Sequence, residues 1–148
     1  MASAFAIDSS VYIDALRDRD RMDLLKRFLG RAGGRVALCG VVAMELRAGA
    51  RTPEQQGAID ALIGAYVHRS RVIATSFQAC WQAGRALADL AGRHPGSAAM
   101  AATLVADAQI AAACREVGAT LITNNARDFA RLQRYMRGFR FVDPWPLI

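Results

Sequence analysis

The first residue placed for chemistry is Asp8, which directly follows the apolar run Phe5–Ile7. A short apolar run of this kind is typical of a strand buried on both faces of a parallel sheet. Because ligands bind just beyond the carboxyl ends of such strands, a carboxylate there is positioned for catalysis or binding rather than for packing. The alternative is that Asp8, Ser9 or Ser10 only caps a helix that begins near Val11.

Two further carboxylates stand among apolar neighbours on predicted helices. Glu45 has apolar residues on both sides in its helix. Asp107 shares one face of a later helix with Ile110 and Ala111, three and four residues further along. Burying an unpaired carboxylate costs several kcal/mol, so each should meet a cation or a hydrogen-bond donor. For Glu45 the local candidate is Arg47, and the alternative is a metal ion or an active site.

The strands that must position these residues alternate with helices along the chain. Apolar runs bounded by turn residues predict strands over residues 5–7, 35–39, 71–75, 119–123 and 139–142, with helical periodicity between them. This alternation implies parallel strands joined by right-handed crossovers and covered by helices on both faces. We therefore predict an α/β fold, a three-layer α/β/α sandwich with a central parallel sheet of about five strands. The whole chain, residues 1–148, is expected to form a single domain.

The two most apolar strands, those before Asp8 and before Asn124, are expected to be neighbours at the centre of the sheet. Their carboxyl ends would then meet, so that Asp8 faces the loop over residues 125–128. With Glu45 and Asp107 on flanking helices, three or four carboxylates would converge, and no Lys lies among them to neutralise the site. Such an all-oxygen site suits a hard divalent cation, Mg²⁺ or Mn²⁺.

The composition narrows the possible partners and compartments. The chain has 148 residues, 53% of them hydrophobic, and a formal net charge of +6, which favours a polyanionic partner such as nucleic acid. Its three cysteines are far apart and are expected to be buried, reduced thiols. His68 and His94 stand alone and are not expected to bind metal. We expect no leader and no membrane span, and hence a soluble cytoplasmic protein without a membrane partner.

The motifs resemble those of the PIN-domain ribonucleases, and within them the small VapC-type toxins of bacterial and archaeal toxin–antitoxin pairs. The resemblance rests on the order and spacing of four stretches, residues 7–11, 42–49, 107–112 and 123–129. It implies that Asp8, Glu45 and Asp107 are the metal-binding acids. It also implies an accessory polar group, either Ser9 or Thr123.

The fourth site residue is open between Asn125 and Asp128. Many members of the family have an acid at the position of Asn125, whereas others keep an asparagine there and retain the aspartate before Phe129. The carbonyl of Asn125 would bind a cation or its water without adding charge, whereas charge favours Asp128 as the fourth catalytic acid. A plainer interpretation of Asp128 is that it caps the helix that follows.

The resemblance implies a Mg²⁺-dependent endoribonuclease, with Mn²⁺ as a possible substitute, that hydrolyses RNA phosphodiester bonds. A metal-bound water would be the nucleophile, so no protein nucleophile is needed. The arginines that are candidates to hold the RNA backbone are Arg47, Arg85, Arg127 and Arg131. The resemblance also implies a homodimer and a cognate antitoxin that blocks the site.

Other classes of protein fit the sequence less well. A non-catalytic RNA-binding module with a degenerate nuclease site is the main alternative, but retained carboxylates would repel phosphate unless a cation intervened. A phosphoacceptor signalling domain needs an acidic pair beside the first strand and a Lys after a late strand, and Lys26 is the only Lys. A haloacid-dehalogenase-type phosphatase needs an aspartate two residues after the first, where Ser10 stands.

Overall fold

The computed structural model describes residues 4–145 and contains a five-stranded sheet flanked by helices. The ends of the predicted domain, residues 1–3 and 146–148, lie outside this description. The strands are β1 (Phe5–Ile7), β2 (Val36–Cys39), β3 (Val72–Ile73), β4 (Thr120–Ile122) and β5 (Phe141–Val142). The helices of the described part are α1 (Ser9–Arg17), α2 (Arg19–Ala32), α3 (Gly40–Gly49), α4 (Pro53–His68), α5 (Phe77–Ala91), α6 (Ser97–Thr103), α7 (Val105–Glu116) and α8 (Ala126–Gln133).

All five strands are parallel, in the order β3-β2-β1-β4-β5. The central pair is β1 and β4, in a register that places Ile7 beside Ile122. This confirms the predicted α/β/α sandwich and the prediction that the strands before Asp8 and Asn124 are neighbours. The consequence is that the residues following these two strands lie side by side at the carboxyl edge of the sheet.

Four of the five predicted strands are longer than the observed ones, and the start of the first helix differs as well. The strand predicted over residues 71–75 is only the two residues of β3, since this strand lies at the edge of the sheet and pairs with β2 alone. The first helix begins at Ser9 rather than near Val11, so Asp8 stands between β1 and α1 with no intervening loop. Asp8 is thus held by a strand on one side and a helix on the other.

The core lies on both faces of the sheet and includes almost completely buried residues of β1, β2 and β4. Two buried contacts join neighbouring elements, one between α1 and α4 and one between β2 and α7. The hydroxyl oxygens of Tyr12 and Tyr66 are 2.7 Å apart, and the sulfurs of Cys39 and Cys114 are 3.8 Å apart. The prediction of three buried thiols is wrong for Cys80, which lies on the exposed face of α5.

Helix α4 begins and ends with capping structures. Thr52 and Gln55 form a reciprocal capping box at its start. At its end Ser70 adopts a left-handed conformation with φ of +54°, and the N–H of Arg71 donates to the carbonyl of Tyr66 at 2.8 Å. This arrangement closes the helix and directs the chain into β3.

The described residues contain no single helix with the length and apolar character needed to cross a membrane. One pair, α6 with α7, meets those criteria only when its two helices are taken together across a 65° bend.

Candidate active site

Asp8 lies at the carboxyl end of β1, and its side chain is almost completely buried. Its backbone N–H donates to the carbonyl of Ile122 at 2.9 Å, which fixes Asp8 beside β4. Its Oδ2 accepts hydrogen bonds from Ser10 Oγ (2.9 Å) and Thr123 Oγ1 (2.7 Å). Its Oδ1 is buried and has no hydrogen-bond partner within residues 4–145. A buried carboxylate oxygen without a partner is costly, so Oδ1 would gain strongly from a bound cation.

The side chain of Asp8 does not cap α1, although Asp8 occupies the N-cap position. Ser9 and Ser10 already belong to the helix, and their hydroxyls donate to carboxylates instead. The capping alternative for these three residues is therefore wrong. Their side chains are used to build a carboxylate site at the edge of the sheet.

Glu45 lies on α3 and meets a hydroxyl rather than a cation. Its Oε2 accepts a hydrogen bond from Ser9 Oγ at 2.9 Å. Arg47, the predicted local partner, instead pairs with Asp60 at 2.9 Å. Burial raises the pKa of Glu45, the hydrogen bond from Ser9 lowers it, and the charge of Asp8 raises it again.

Asp107 lies in the first turn of α7, and the charges of the other three candidate acids all raise its pKa. Its pKa is raised to about 7, first by burial and then by the negative charges of Asp8, Glu45 and Asp128. The four carboxylates therefore lie within electrostatic range of one another. A cation among them would relieve this repulsion.

Asn125 and Asp128, the two candidates for the fourth position, are in contact. Asn125 Nδ2 donates to Asp128 Oδ2 at 3.1 Å and lies 3.5 Å from Asp107 Oδ2. The backbone N–H of Asn125 donates to Thr123 Oγ1 at 2.9 Å. Asp128 Oδ1 pairs with Arg131 at 3.1 Å, which offsets part of its charge. Asn125 thus connects two carboxylates, and Asp128 faces both the site and an arginine.

The interpretation of Asp128 as a helix cap is wrong. Helix α8 begins at Ala126, and the N-cap residue is Asn125. Asp128 lies in the first turn, where a negative charge interacts favourably with the positive end of the helix dipole. Asp128 therefore stabilises α8 as a residue of its first turn, and its Oδ2 accepts the hydrogen bond from Asn125.

The predicted acids surround the end of β1 without forming a ready-made metal site. Among residues 4–145, no three His, Cys, Asp or Glu side chains are placed together closely enough to hold a metal ion. The donors nearest to Asp8 are nevertheless hard oxygens, and the unpartnered Oδ1 of Asp8 is the kind of atom that a cation satisfies. The residues present therefore fit Mg²⁺ or Mn²⁺ by the chemistry of their donors.

A hydrogen-bonded network beside the site was not found from the sequence. The N–H of Asn124 donates to Ser10 Oγ at 3.2 Å, and its side-chain Nδ2 donates to Asp14 Oδ2 at 2.9 Å. Asp14 in turn pairs with Arg21. The network joins α1 and α2 to the loop after β4, and only the pairing of β1 with β4 brings these segments together. In the sequence, only the prediction that β1 and β4 are neighbours indicated that Asn124 would lie close to Ser10 and Asp14.

An apolar groove of about 530 Å³ opens beside Glu45, between α1, α3 and α4. Its wall includes Ile13 and Leu16, which are both exposed, and the more buried Leu46 and Ile59. The groove therefore exposes apolar side chains next to a candidate acid.

The arginines predicted to hold RNA differ in their contacts. Arg47 and Arg131 are engaged in ion pairs with Asp60 and Asp128. Arg85 and Arg127 are exposed, and neither forms an ion pair within the described part of the chain. Arg127 lies on α8 directly before Asp128, so its charge is close in sequence to the candidate acids.

The fold and the carboxylate site define a class of protein. The family model for the PIN domain matches residues 5–135, a range that includes every predicted site residue. The chain belongs to the PIN domain family. Comparison with curated protein sequences gives no significant match.

Several solved structures share the fold over nearly the whole chain. The DNA-bound VapBC complex from Salmonella typhimurium is 21% identical, with a TM-score of 0.68 over 95% of this chain and 98% of that chain. The FitAB complex bound to the IR36 DNA fragment is 15% identical, with a TM-score of 0.69 over 97% of each chain. VapBC-1 from nontypeable Haemophilus influenzae is 20% identical, with a TM-score of 0.61 over 95% of this chain and 97% of that chain. At these identities the similarity shows the fold.

Proposed function

We propose that the protein is a metal-dependent endoribonuclease and the toxin of a toxin–antitoxin pair. The observation that carries the proposal is the Oδ1 atom of Asp8, buried at the carboxyl end of the central strand without a hydrogen-bond partner among residues 4–145. The mutual repulsion of Asp8, Glu45, Asp107 and Asp128 supports it, because this much negative charge stands near a phosphate substrate only when a cation intervenes.

In this mechanism Asp8, Glu45 and Asp107 would hold Mg²⁺, or Mn²⁺ in its place. When bound, the cation supplies an activated water and neutralises charge on the scissile phosphate. Thr123 and Ser10 hold Asp8 so that Oδ2 is occupied by their hydroxyls and Oδ1 is left free. This division of the two oxygens is the support that a metal-binding carboxylate needs from its neighbours.

The remaining polar groups act on the other two acids. Ser9 orients Glu45 through its hydroxyl, and Asn125 links Asp107 to Asp128. Asp128 contributes charge without being a direct ligand in this proposal, since its second oxygen is held by Arg131. Each acid therefore has a polar neighbour that fixes its side chain before a cation binds.

The partners follow from the same proposal. RNA is the substrate, held by exposed arginines such as Arg85 and Arg127. A cognate antitoxin would bind the groove beside Glu45 and block the site, and the structural similarity to VapBC complexes supports a partner of this kind. The protein is proposed to act in the cytoplasm as a homodimer, without a membrane partner.

The test is RNA cleavage by purified Asp8→Asn, together with growth arrest on induction. We expect both to be lost while circular dichroism and melting show a folded protein, because an amide in place of the carboxylate removes one charge from the oxygen ligands. Asp89→Asn, which changes an exposed aspartate, is the matched control and should cleave normally. Full cleavage by folded Asp8→Asn would overturn the mechanism. Binding of RNA without cleavage by the unchanged protein would favour the non-catalytic RNA-binding alternative.

A further inference from the structure

A second pocket, of about 430 Å³, lies at the opposite end of the sheet from the carboxylates. Its wall includes Val36, the first residue of β2, and Arg71, which directly precedes β3. Asp8 directly follows β1, and all three strands are parallel. The pocket is therefore at the amino edge of the sheet, whereas Asp8 is at the carboxyl edge. We call it the amino-edge pocket.

The lining of the amino-edge pocket combines an apolar wall with two guanidinium groups. The apolar wall is formed by Leu29, Val36, Leu62 and the ring of Tyr66, and Arg69 and Arg71 lie at its rim. A volume of about 430 Å³ is within the range of small-molecule sites, roughly 300–1,000 Å³. The pocket is thus suited to a flat apolar group that carries a negative charge.

The segments that form this pocket carry several positive charges. The two segments that form most of its wall, residues 24–36 and 61–72, contain six lysines and arginines and no aspartate or glutamate. The formal net charge of the whole chain is +6, so the remainder of the chain is formally neutral. That remainder is itself uneven, because residues 126–140, beside the carboxylate site, carry five arginines and one aspartate. Part of the basic character that predicted a polyanionic partner therefore belongs to this end of the molecule.

The two arginines at the rim are available to a ligand. Within residues 4–145 neither Arg69 nor Arg71 pairs with a carboxylate or donates a side-chain hydrogen bond. The guanidinium of Arg71 lies over Gly34, in space that a Cβ at that position would occupy. Burial raises the pKa of the Tyr66 hydroxyl, and the hydrogen bond with Tyr12 and the charge of Arg69 offset part of that rise, which places this charge near the apolar wall. Free guanidinium groups bind phosphate oxygens in a bidentate geometry.

We propose that the amino-edge pocket binds one nucleotide of the RNA strand, with its base against the apolar wall and its phosphate held by Arg69 and Arg71. The apolar wall distinguishes this ligand from a simple anion, because an inorganic phosphate would leave it uncovered. The location distinguishes it from the catalytic subsites, since the strand would be held at the edge of the sheet opposite the acids. The inference rests on the proposed function for the identity of the polyanion as RNA.

The test measures binding of a short fluorescein-labelled single-stranded RNA in EDTA, where cleavage does not interfere. We expect the double variant Arg69→Gln/Arg71→Gln to bind roughly ten-fold more weakly, with the slope of its salt dependence reduced by about 0.7 for each phosphate that is no longer neutralised. Arg51→Gln, which removes an exposed arginine elsewhere, is the matched control and should bind like the unchanged protein. All variants should retain the circular dichroism of the unchanged protein.

Two further variants test the pocket without removing charge. Ala65→Leu places a larger side chain in the pocket from an exposed position on α4, and Gly34→Ala displaces the guanidinium of Arg71. Ala65→Leu should weaken RNA binding and leave the salt dependence like that of the unchanged protein. Gly34→Ala should weaken binding and also reduce the slope of the salt dependence, because it moves the guanidinium that holds the phosphate. An oligo-glutamate of the same length should compete poorly, because it has charge but no base.

The outcomes separate this proposal from the proposed function. Unchanged RNA affinity and salt dependence in the double variant would overturn the amino-edge pocket as a nucleotide site, whether or not the protein cleaves RNA. Equal competition by oligo-glutamate and no effect of Ala65→Leu would also overturn it, in favour of a general polyanion surface. Loss of cleavage in Asp8→Asn would support the proposed function, and weaker RNA binding by the double variant would support the pocket. Binding that depends on the arginines in a protein that never cleaves would support the pocket and refute only the nuclease.

Discussion

Thr123 Oγ1 donates a hydrogen bond of 2.7 Å to Asp8 Oδ2, although the two residues are 115 positions apart in the chain. The contact exists because β1 and β4 are parallel neighbours and both residues directly follow their strands. Thr123 is completely buried and also accepts a hydrogen bond from the N–H of Asn125. A single hydroxyl therefore ties the central carboxylate to the loop that leads to the fourth candidate acid.

Replacing Thr123 with valine should weaken both the fold and the site. Valine keeps the shape but leaves the N–H of Asn125 and one interaction of Asp8 unsatisfied, at a cost of about 1–3 kcal/mol in the free energy of unfolding. Urea denaturation measures this loss, and cleavage assays should show reduced activity. Thr123→Ser restores the hydroxyl and should recover both. Thr103→Val, at an exposed threonine, is the control, and an equal loss there would contradict the argument.

Mg²⁺ or Mn²⁺ should raise the melting temperature of the protein, and EDTA should abolish cleavage. A cation that binds only the native state stabilises it by about 2.7 kcal/mol when its concentration is 100 times its dissociation constant. The shift should shrink in Glu45→Gln and in Asp107→Asn, since each removes a charge from the proposed ligands, and should persist in Asp89→Asn. Undiminished cleavage in excess chelator would point to a metal-independent ribonuclease, for which neither exposed histidine, His68 or His94, is placed.

Asp128 rather than Asn125 should be the fourth residue that supports the cation. Asp128→Asn should weaken metal affinity, measured by calorimetric titration, because the charge is removed while the hydrogen-bonding shape is kept. Asn125→Ala should have the smaller effect on affinity. Arg131→Gln is an informative companion variant. It removes the guanidinium whose positive charge offsets that of Asp128, and it should not weaken metal binding. If Asp128→Asn lowers only the melting temperature, its role is confined to the first turn of α8.

The metal-free protein should lose stability as the pH rises from about 4 to about 7. Asp107 has a pKa of about 7 in the folded protein, against 3.8 as its ordinary value. Between these two pKa values the folded state holds a proton that the unfolded state has released, so the free energy of unfolding falls with increasing pH. The stabilisation that this proton gives is fully present only below the pKa of the unfolded state, 3.8. Denaturation in EDTA across this range should show a shallower slope for Asp107→Asn than for Asp89→Asn.

Much of the sheet could be predicted because its strands are short continuous apolar runs. The first of these runs located Asp8, which is the first polar residue after a central strand, whereas Thr123 was placed inside its predicted strand and became a candidate only through the family resemblance. The pairing of individual hydroxyls could not be predicted, because it depends on where α1 begins. With the helix starting at Ser9, the hydroxyl of Ser9 reaches Glu45 and that of Ser10 reaches Asp8.

Two further features depend on how distant segments pack together, and the sequence could not predict them. Cys80 has apolar neighbours in the sequence, but the face of α5 that carries it is turned away from the core. The net charge predicts a polyanionic partner, but where that charge lies on the surface depends on the pairing of β2 with β3. That pairing brings Val36 and Arg71 to the same edge, and no local pattern specifies it.

The central position of β1 has a consequence for synthesis of the protein. Of the five strands β1 is made first, and it pairs with β4, which is made fourth, so the central contacts of the fold have a high contact order. A nascent chain that still lacks β4 contains Asp8, Glu45 and Asp107, but neither the hydroxyl of Thr123 nor the strand that fixes Asp8. The site is therefore assembled only after β4 and Thr123 have been synthesised, which delays any activity of this site until that point of translation.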